Sequence, residues 1–161
     1  MRALAWAALA AFVIDQLSKY LVIHQMELWR IRAVDVLPPV LNFRYGENRG
    51  INFGLFGDAP EASRWVLIGL ALVICVAVLI WVRRHDIGPW PQVGAGFLIG
   101  GALANVLDRL IYGYVLDFLN MSCCGINNPF VFNLADVFIF GGALMLVFLA
   151  PDPKDNTKKG Q

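Results

Sequence analysis

The chain has 161 residues, a formal net charge of +1 and a mean hydropathy of +0.62; 58% of its residues are hydrophobic and 16% are charged. This composition is too apolar for an ordinary soluble domain of this size, and the apolar residues are concentrated in long blocks. The small net charge offers no basic face for nucleic acid, there is no Gly-rich phosphate loop, and the three cysteines and two histidines lack the spacing of a metal site.

Four apolar segments are long enough to cross the roughly 30 Å core of a bilayer, which needs about 20 residues of helix. They cover about Ala3–His24, Trp65–Val82, Gln92–Tyr112 and Phe130–Ala150. The predicted fold class is therefore an integral membrane α-helical protein with four transmembrane helices. It forms a single membrane-embedded domain over residues 1–161.

The first span contains an acid and a base, Asp15 and Lys19, which are four residues apart and share one helix face. We predict that the pair lies near the outer end of the span, where the Lys19 side chain can extend towards water. Structural pairing, or contact with a substrate headgroup, is favoured over chemistry for this pair. These internal charges, and the lack of a small-residue cleavage site, favour a retained span over a signal peptide.

The outer region between the first two spans, about residues 27–62, contains short alternating segments such as LWRIRAV and VLNFRY. Pro-Pro and Gly turns separate these segments. The pattern predicts a small β element outside the membrane.

The third span has a polar face, because Asn105, Asp108 and Arg109 are spaced by three and four residues. The preceding Gly100 and Gly101 are small enough for close helix packing. Since Asp108 stands beside an arginine, we expect it to be ionised. Such a carboxylate is suited to fixing geometry or holding a polar substrate group.

Two further aspartates are the candidates for chemistry: Asp117 in the outer loop of about residues 113–129, and Asp136 in the fourth span. Both have apolar neighbours, and a pair of buried carboxyls can share one proton. One neutral and one charged carboxyl can activate a water for attack on a carbonyl and protonate the leaving amine. Asn133, three residues before Asp136, is predicted to share its helix face. Helix capping, cation binding and proton transport remain open for the same residues.

Basic residues that flank the spans indicate the orientation in the membrane. If the chain has four spans, one side of the membrane carries Arg2, Arg83, Arg84, Lys154, Lys158 and Lys159. Both termini are therefore expected in the cytoplasm, with the β region and the second loop outside. The β region also carries four arginines, so the indication rests partly on the second loop, which has no Lys or Arg.

Five sequence blocks occur together in one order: DQLSK (15–19), NRGINFG (48–54), GGALANVLDR (100–109), VLDF (115–118) and FNLAD (132–136). In these blocks the chain resembles the lipoprotein signal peptidases (signal peptidase II), aspartic peptidases of the bacterial inner membrane. The family removes signal peptides from diacylglyceryl-modified prolipoproteins. Cleavage occurs on the N-terminal side of the lipidated cysteine, at the outer face of the membrane.

The resemblance implies a role for each matched residue. The family's catalytic dyad corresponds to Asp117 and Asp136. Its binding and supporting positions correspond to Asp15, Lys19, Asn48, Gly50, Asn105, Asp108, Arg109 and Asn133. It further implies that no metal or organic cofactor is required, that the substrates are prolipoproteins in a lipid environment, and that the active site faces the periplasm. We expect no nucleic-acid partner and a monomer. The β element would resemble the family's cradle, and the SCCGINN loop stands where the family has a mobile helix.

Three alternatives can be distinguished from this interpretation. A transporter predicts carboxylates near the bilayer midplane and often repeated halves, whereas the key aspartates here cluster towards one face. A scaffold protein predicts that Asp117→Asn and Asp136→Asn are mild. A thiol enzyme using Cys123 or Cys124 lacks a nearby base, because both histidines lie elsewhere in the chain.

Overall fold

The computed structural model describes residues 1–38, 40–50, 60–122 and 128–149. Three of its helices are long and apolar enough to cross a membrane, namely Arg2–Gln25, Glu61–Arg84 and Pro89–Tyr112. The first comprises α1 (Arg2–Lys19) and a π-helical turn at Tyr20–Gln25. The second and third are α3 (Pro60–Arg84) and α4 (Pro89–Tyr112), while α2 (Leu28–Ile31) is a single turn.

The fourth apolar helix, α5 (Leu134–Leu149), begins later than predicted. Its 16 described residues span about 24 Å at 1.5 Å per residue, and residue 150 lies outside the described part of the chain. The predicted start at Phe130 is wrong, because the backbone of Phe132 pairs with Leu119 in both directions at 2.8 and 2.9 Å. The chain therefore enters the helix only at Leu134.

Helix α4 packs between α1 and α5, and small residues make both contacts possible. A Cβ added at Gly96 would lie 2.5 Å from the backbone oxygen of Leu4 in α1. One added at Gly101 would lie 2.5 Å from the backbone oxygen of Ala135 in α5. The expected close packing around Gly100 and Gly101 is thus confirmed, and it brings the polar face of α4 against the start of α5.

A three-stranded antiparallel sheet lies at one end of the helices, in the order β1 (Ala33–Leu37), β2 (Leu41–Asn48), β3 (Val115–Met121). The β1–β2 hairpin confirms the predicted β element within residues 27–62, of which residues 39 and 51–59 lie outside the described part. The third strand was not predicted, since residues 113–129 were expected to be a loop. Val115 to Phe118 are all buried, so this strand lacks the alternation that marks an exposed one.

Candidate active site

Asp117 lies in the middle of β3, opposite Gly46 of β2, and is only 2% exposed. Its Oδ1 accepts a hydrogen bond from the Asn133 side chain at 2.5 Å. Burial, followed by the neighbouring charge of Asp136, raises the pKa of Asp117 from 3.8 to about 7, against the opposing effect of hydrogen bonds from Asn133 and Asn48. Near neutral pH this carboxyl can therefore hold or release a proton.

Asp136 is the third residue of α5 and takes part in a reciprocal cap with Asn133. The backbone N–H of Asp136 donates to Asn133 Oδ1 at 2.9 Å, and the backbone N–H of Asn133 donates to Asp136 Oδ2 at 3.3 Å. This is a capping box, which satisfies two backbone donors at the helix start. The prediction that Asn133 shares a helix face with Asp136 is wrong, because Asn133 precedes the helix as its N-cap.

The Asn133 amide joins the two aspartates, and it is completely buried. Besides Asp117, its Nδ2 donates to Asn105 Oδ1 at 3.3 Å. Asn105 in turn donates through Nδ2 to Asp136 Oδ1 at 2.9 Å. Both carboxyls are thus held by one amide pair, supplied by α4 and by the segment before α5.

Beside this pair lies a buried ion cluster that connects α1 with α4. Lys19 Nζ is 2.7 Å from Asp15 Oδ2 and 2.7 Å from Asp108 Oδ2, and Lys19 is 2% exposed. The prediction that Lys19 extends towards water is therefore wrong. Asp108 pairs with Lys19 rather than with its sequence neighbour Arg109, and Gln16 also donates to Asp108 at 2.9 Å.

The two carboxylates of this cluster also hold the backbone next to each candidate catalytic residue. Asp108 Oδ2 accepts the N–H of Leu116, the residue before Asp117, at 3.1 Å. Asp15 Oδ1 accepts the N–H of Ala135, the residue before Asp136, at 2.7 Å. The cluster therefore fixes β3 and the start of α5 relative to the same lysine.

The remaining matched positions are Arg109, Asn48 and Gly50. Arg109 donates to the Asn105 carbonyl at 3.3 Å, and its charge interacts with Asp136 and Asp117. Asn48 Oδ1 accepts the N–H of Gly50 at 3.0 Å. Gly50 has φ +94°, and an added Cβ there would collide with the Leu67 side chain, so the position favours glycine.

Asn120 is a completely buried polar residue that the sequence interpretation missed. Its Nδ2 donates to the carbonyls of Asn128 and Phe130 at 2.7 and 2.8 Å. It thus ties β3 to the segment that leads to Asp136. The polar residue three positions after Asp117 in an apolar strand is the signal that could have identified it. Cys123 and Cys124 lie outside the described residues.

A cavity of about 380 Å³ opens between α3, α4 and α5 next to Asn105. Asn105 and Arg109 supply its polar end. Its apolar lining consists of Leu67, Leu70, Ala71, Ile74, Leu98, Ala102 and Ile139. The cavity can therefore hold a long apolar group whose polar end lies beside the aspartates.

Comparison with known proteins gives a consistent assignment. A family model described as signal peptidase II matches residues 7–150. A lipoprotein signal peptidase of Alteromonas mediterranea is 40% identical over 146 residues, which cover 88% of this chain and 76% of the relative. One of Aeromonas hydrophila subsp. hydrophila is 37% identical over 156 residues, which cover 94% and 92%.

Two solved structures of bacterial membrane enzymes have a similar fold. One has a TM-score of 0.73 at 23% identity and covers 100% of this chain and 93% of its own. The other has a TM-score of 0.75 at 24% identity and covers 91% of both chains. At these identities the similarity concerns the fold.

Proposed function

Because this chain belongs to the signal peptidase II family, it is a membrane peptidase that removes signal peptides from prolipoproteins, and we propose that Asp117 and Asp136 form its catalytic dyad. The observation that carries this proposal is that Asn133 contacts both aspartates. Its side-chain amide donates to Asp117, and its backbone N–H donates to Asp136. The arrangement supports an aspartic endopeptidase mechanism.

In the proposed reaction, the ionised carboxyl accepts a proton from a water molecule, and the water oxygen attacks the scissile carbonyl. The protonated carboxyl donates to the carbonyl oxygen, and collapse of the tetrahedral intermediate transfers a proton to the leaving amine. A pKa of about 7 suits Asp117 to the protonated role near neutral pH. The charge of Asp136 acts on the pKa of Asp117, so the protonation steps of the two carboxyls belong to the dyad.

The cavity between α3, α4 and α5 supports a diacylglyceryl-modified substrate. Its apolar walls can receive a lipid chain or the apolar signal peptide, while Asn105 and Arg109 can bind carbonyl oxygens at its polar end. Asn48 ends β2, the strand that pairs with β3 beside Asp117, and it can contact the extended peptide backbone there. We assign the scissile bond to the N-terminal side of the lipidated cysteine.

The basic residues at the helix ends support an orientation of the protein in the membrane. We place both termini in the cytoplasm, four spans in the inner membrane of the bacterium, and the sheet with the dyad on the periplasmic side. Arg83 and Arg84 end α3 at the opposite end of the helices from the sheet, which agrees with the rule that basic residues flank spans on the cytoplasmic side. We expect the monomer to be the active form, since one chain contributes both aspartates.

The experiment that tests this function is cleavage of a purified diacylglyceryl-prolipoprotein by the detergent-solubilised protein, with the product masses measured. We expect cleavage immediately before the lipidated cysteine, and none of a matched precursor without the lipid. Replacing Cys123 and Cys124 by alanine should leave the rate unchanged, as should a chelator. Absence of cleavage by the wild-type protein would contradict the proposal and favour transport or scaffolding.

A further inference from the structure

The segment that brings the chain back to α5, residues 128–133, is not a regular strand, and we call it the return segment. Among the described residues, its backbone hydrogen bonds to β3 all involve Phe132, which exchanges two of them with Leu119. The backbone carbonyls earlier in the segment therefore have no strand ladder to join. Buried carbonyls without a ladder need partners from side chains or water.

Asn120 supplies these partners from a completely buried position in β3. An amide nitrogen carries two N–H groups, and the one in Asn120 donates to the carbonyls of Asn128 and Phe130 at 2.7 and 2.8 Å. Its Oδ1 accepts a hydrogen bond from the Ser122 hydroxyl at 3.1 Å. The Asn120 side chain thus takes the place of the ladder that the return segment lacks.

Asn128 closes the same connection from the other side. Its Nδ2 donates to the Met121 carbonyl at 3.1 Å, and its backbone N–H donates to the Ser122 hydroxyl at 3.2 Å. Its Oδ1 accepts the backbone N–H of Phe130 at 3.0 Å. Hydrogen bonds in both directions therefore join the end of β3 to the start of the return segment.

The return segment borders both aspartates of the proposed dyad. A Cβ built at Gly46 would lie 3.4 Å from the Cβ of Val131 and 3.5 Å from the Cβ of Asp117, so these two residues flank the same glycine. Two positions after Val131, Asn133 donates to Asp117 and caps α5 at Asp136. A displacement of the segment would therefore move Asn133 and Asp136 relative to Asp117.

We propose that Asn120 is a positioning residue of the peptidase: through the return segment, it sets where Asn133 and Asp136 lie relative to Asp117. This inference rests on the proposed function of the dyad. The hydrogen bonds of the Asn120 side chain run to Asn128, Phe130 and Ser122, so the residue acts through the backbone of the segment and not by contact with an aspartate. Its loss should affect turnover more than substrate binding.

The test compares Asn120→Ala with Asn42→Ala. Asn42 is the matched control, because it is a buried asparagine directly opposite Asn120 in the β2–β3 ladder and its side chain contacts Asp35 of β1. For each variant, kcat and KM are measured with a diacylglyceryl-prolipoprotein at a temperature where thermal unfolding shows the protein to be folded. Hydrogen–deuterium exchange reports separately on the backbone of the return segment and the start of α5.

In Asn120→Ala we expect kcat to fall by about tenfold with little change in KM, because misplaced reacting groups slow the chemical step. The backbone N–H groups of Phe132 and Asp136 should exchange faster than in the wild-type protein. Asn120→Ser, which keeps one hydroxyl donor, should show a smaller fall and decides the question if the alanine variant does not fold. Asn42→Ala should keep the wild-type kcat even if it unfolds at a lower temperature.

A wild-type kcat in the folded Asn120 variants would overturn the inference, since a purely structural residue changes stability without changing turnover of the folded protein. An equal fall of kcat in Asn42→Ala, or unchanged exchange in the return segment, would also overturn it. Failure of the wild-type protein to cleave the substrate would contradict the proposed function, and with it the catalytic part of this inference. The exchange measurement would still decide whether Asn120 holds the return segment.

Discussion

At Asp117, burial and the charge of Asp136 act in the same direction, because both disfavour the ionised carboxyl. Its pKa rises from 3.8 to about 7 on folding. Between these two pH values the folded state therefore keeps a proton on Asp117 that the unfolded state has released. By linkage, the stability from this group is fully present below pH 3.8 and is lost as the pH rises towards 7. A shift of this size corresponds to roughly 4 kcal/mol at most.

Replacing Asp117 by asparagine removes the ionisable carboxyl, and with it this loss of stability at higher pH. We predict that Asp117→Asn unfolds at a higher temperature than the wild-type protein at pH 8, and that the difference disappears towards pH 4. Thermal unfolding followed across this pH range measures the effect. A difference that does not change with pH would contradict the assigned burial cost, and Asp35→Asn in the exposed hairpin provides the control.

Lys19 shows why the sequence did not predict the surroundings of the dyad. Its spacing from Asp15 was visible in the sequence, but its second partner, Asp108, is 89 positions away on another helix. A lysine near the end of a span is expected to reach water unless such a partner is known. Asp117 and Asp136 could be identified earlier because a carboxylate in an apolar run is conspicuous without any knowledge of packing.

Asp15 and Asp108 act on the dyad through the backbone of Ala135 and Leu116, so neutralising them should displace the dyad without removing it. We predict that Asp15→Asn and Asp108→Asn each lower the cleavage rate by up to about 10²-fold, the cost of a small misplacement of reacting groups. Measured kcat should fall more than KM changes. A complete loss of activity in folded Asp108→Asn would contradict this ranking.

Between α4 and α5, the separation of the helices is set by glycine. We predict that Gly101→Val lowers the free energy of unfolding by about 1–3 kcal/mol, because overpacking displaces neighbouring backbone. It should also lower activity, since the same contact brings Asn105 to Asp136. Gly141→Val in α5 is the control, because an added Cβ there meets no atom of the described residues within 4 Å. Chemical denaturation of both variants decides the comparison.

At the start of α5, capping and catalysis can be separated by substitution of Asn133. A serine can accept the N–H of Asp136, but it cannot replace the two donor contacts of the amide. We therefore predict that Asn133→Ser keeps most of the stability and loses most of the activity, while Asn133→Ala loses about 1 kcal/mol more stability. Equal activity in Asn133→Ser and the wild-type protein would show that the side-chain amide of Asn133 is not required.

The elements themselves were predictable to different degrees. Long apolar runs gave the three long helices, because length and hydropathy alone determine which segments can cross a membrane. The strand β3 and the start of α5 were missed, since both depend on tertiary contacts. Leu119 pairs with Phe132, and Asn133 becomes a cap only where the chain leaves this pairing.

The molecule as a whole presents its sheet and its candidate active site at one end, with the turn between α3 and α4 at the other. We predict that an impermeant maleimide, added to intact cells whose outer membrane is permeable to it, labels Leu37→Cys and not Trp90→Cys. Both positions are well exposed, at 63% and 67%, so access depends on the side of the membrane. The native cysteines are first replaced by alanine. Labelling of Trp90→Cys alone would reverse the orientation.

The central claim is that Asp117 and Asp136 together carry out the hydrolysis. Its most direct test is the single-turnover rate of cleavage of a diacylglyceryl-prolipoprotein by Asp117→Asn and Asp136→Asn, each checked for folding by thermal unfolding. We predict that both folded variants lose at least about 10²–10⁴-fold in rate, the contribution expected of general acid–base groups. A folded variant of either aspartate that cleaves at the wild-type rate would contradict the claim.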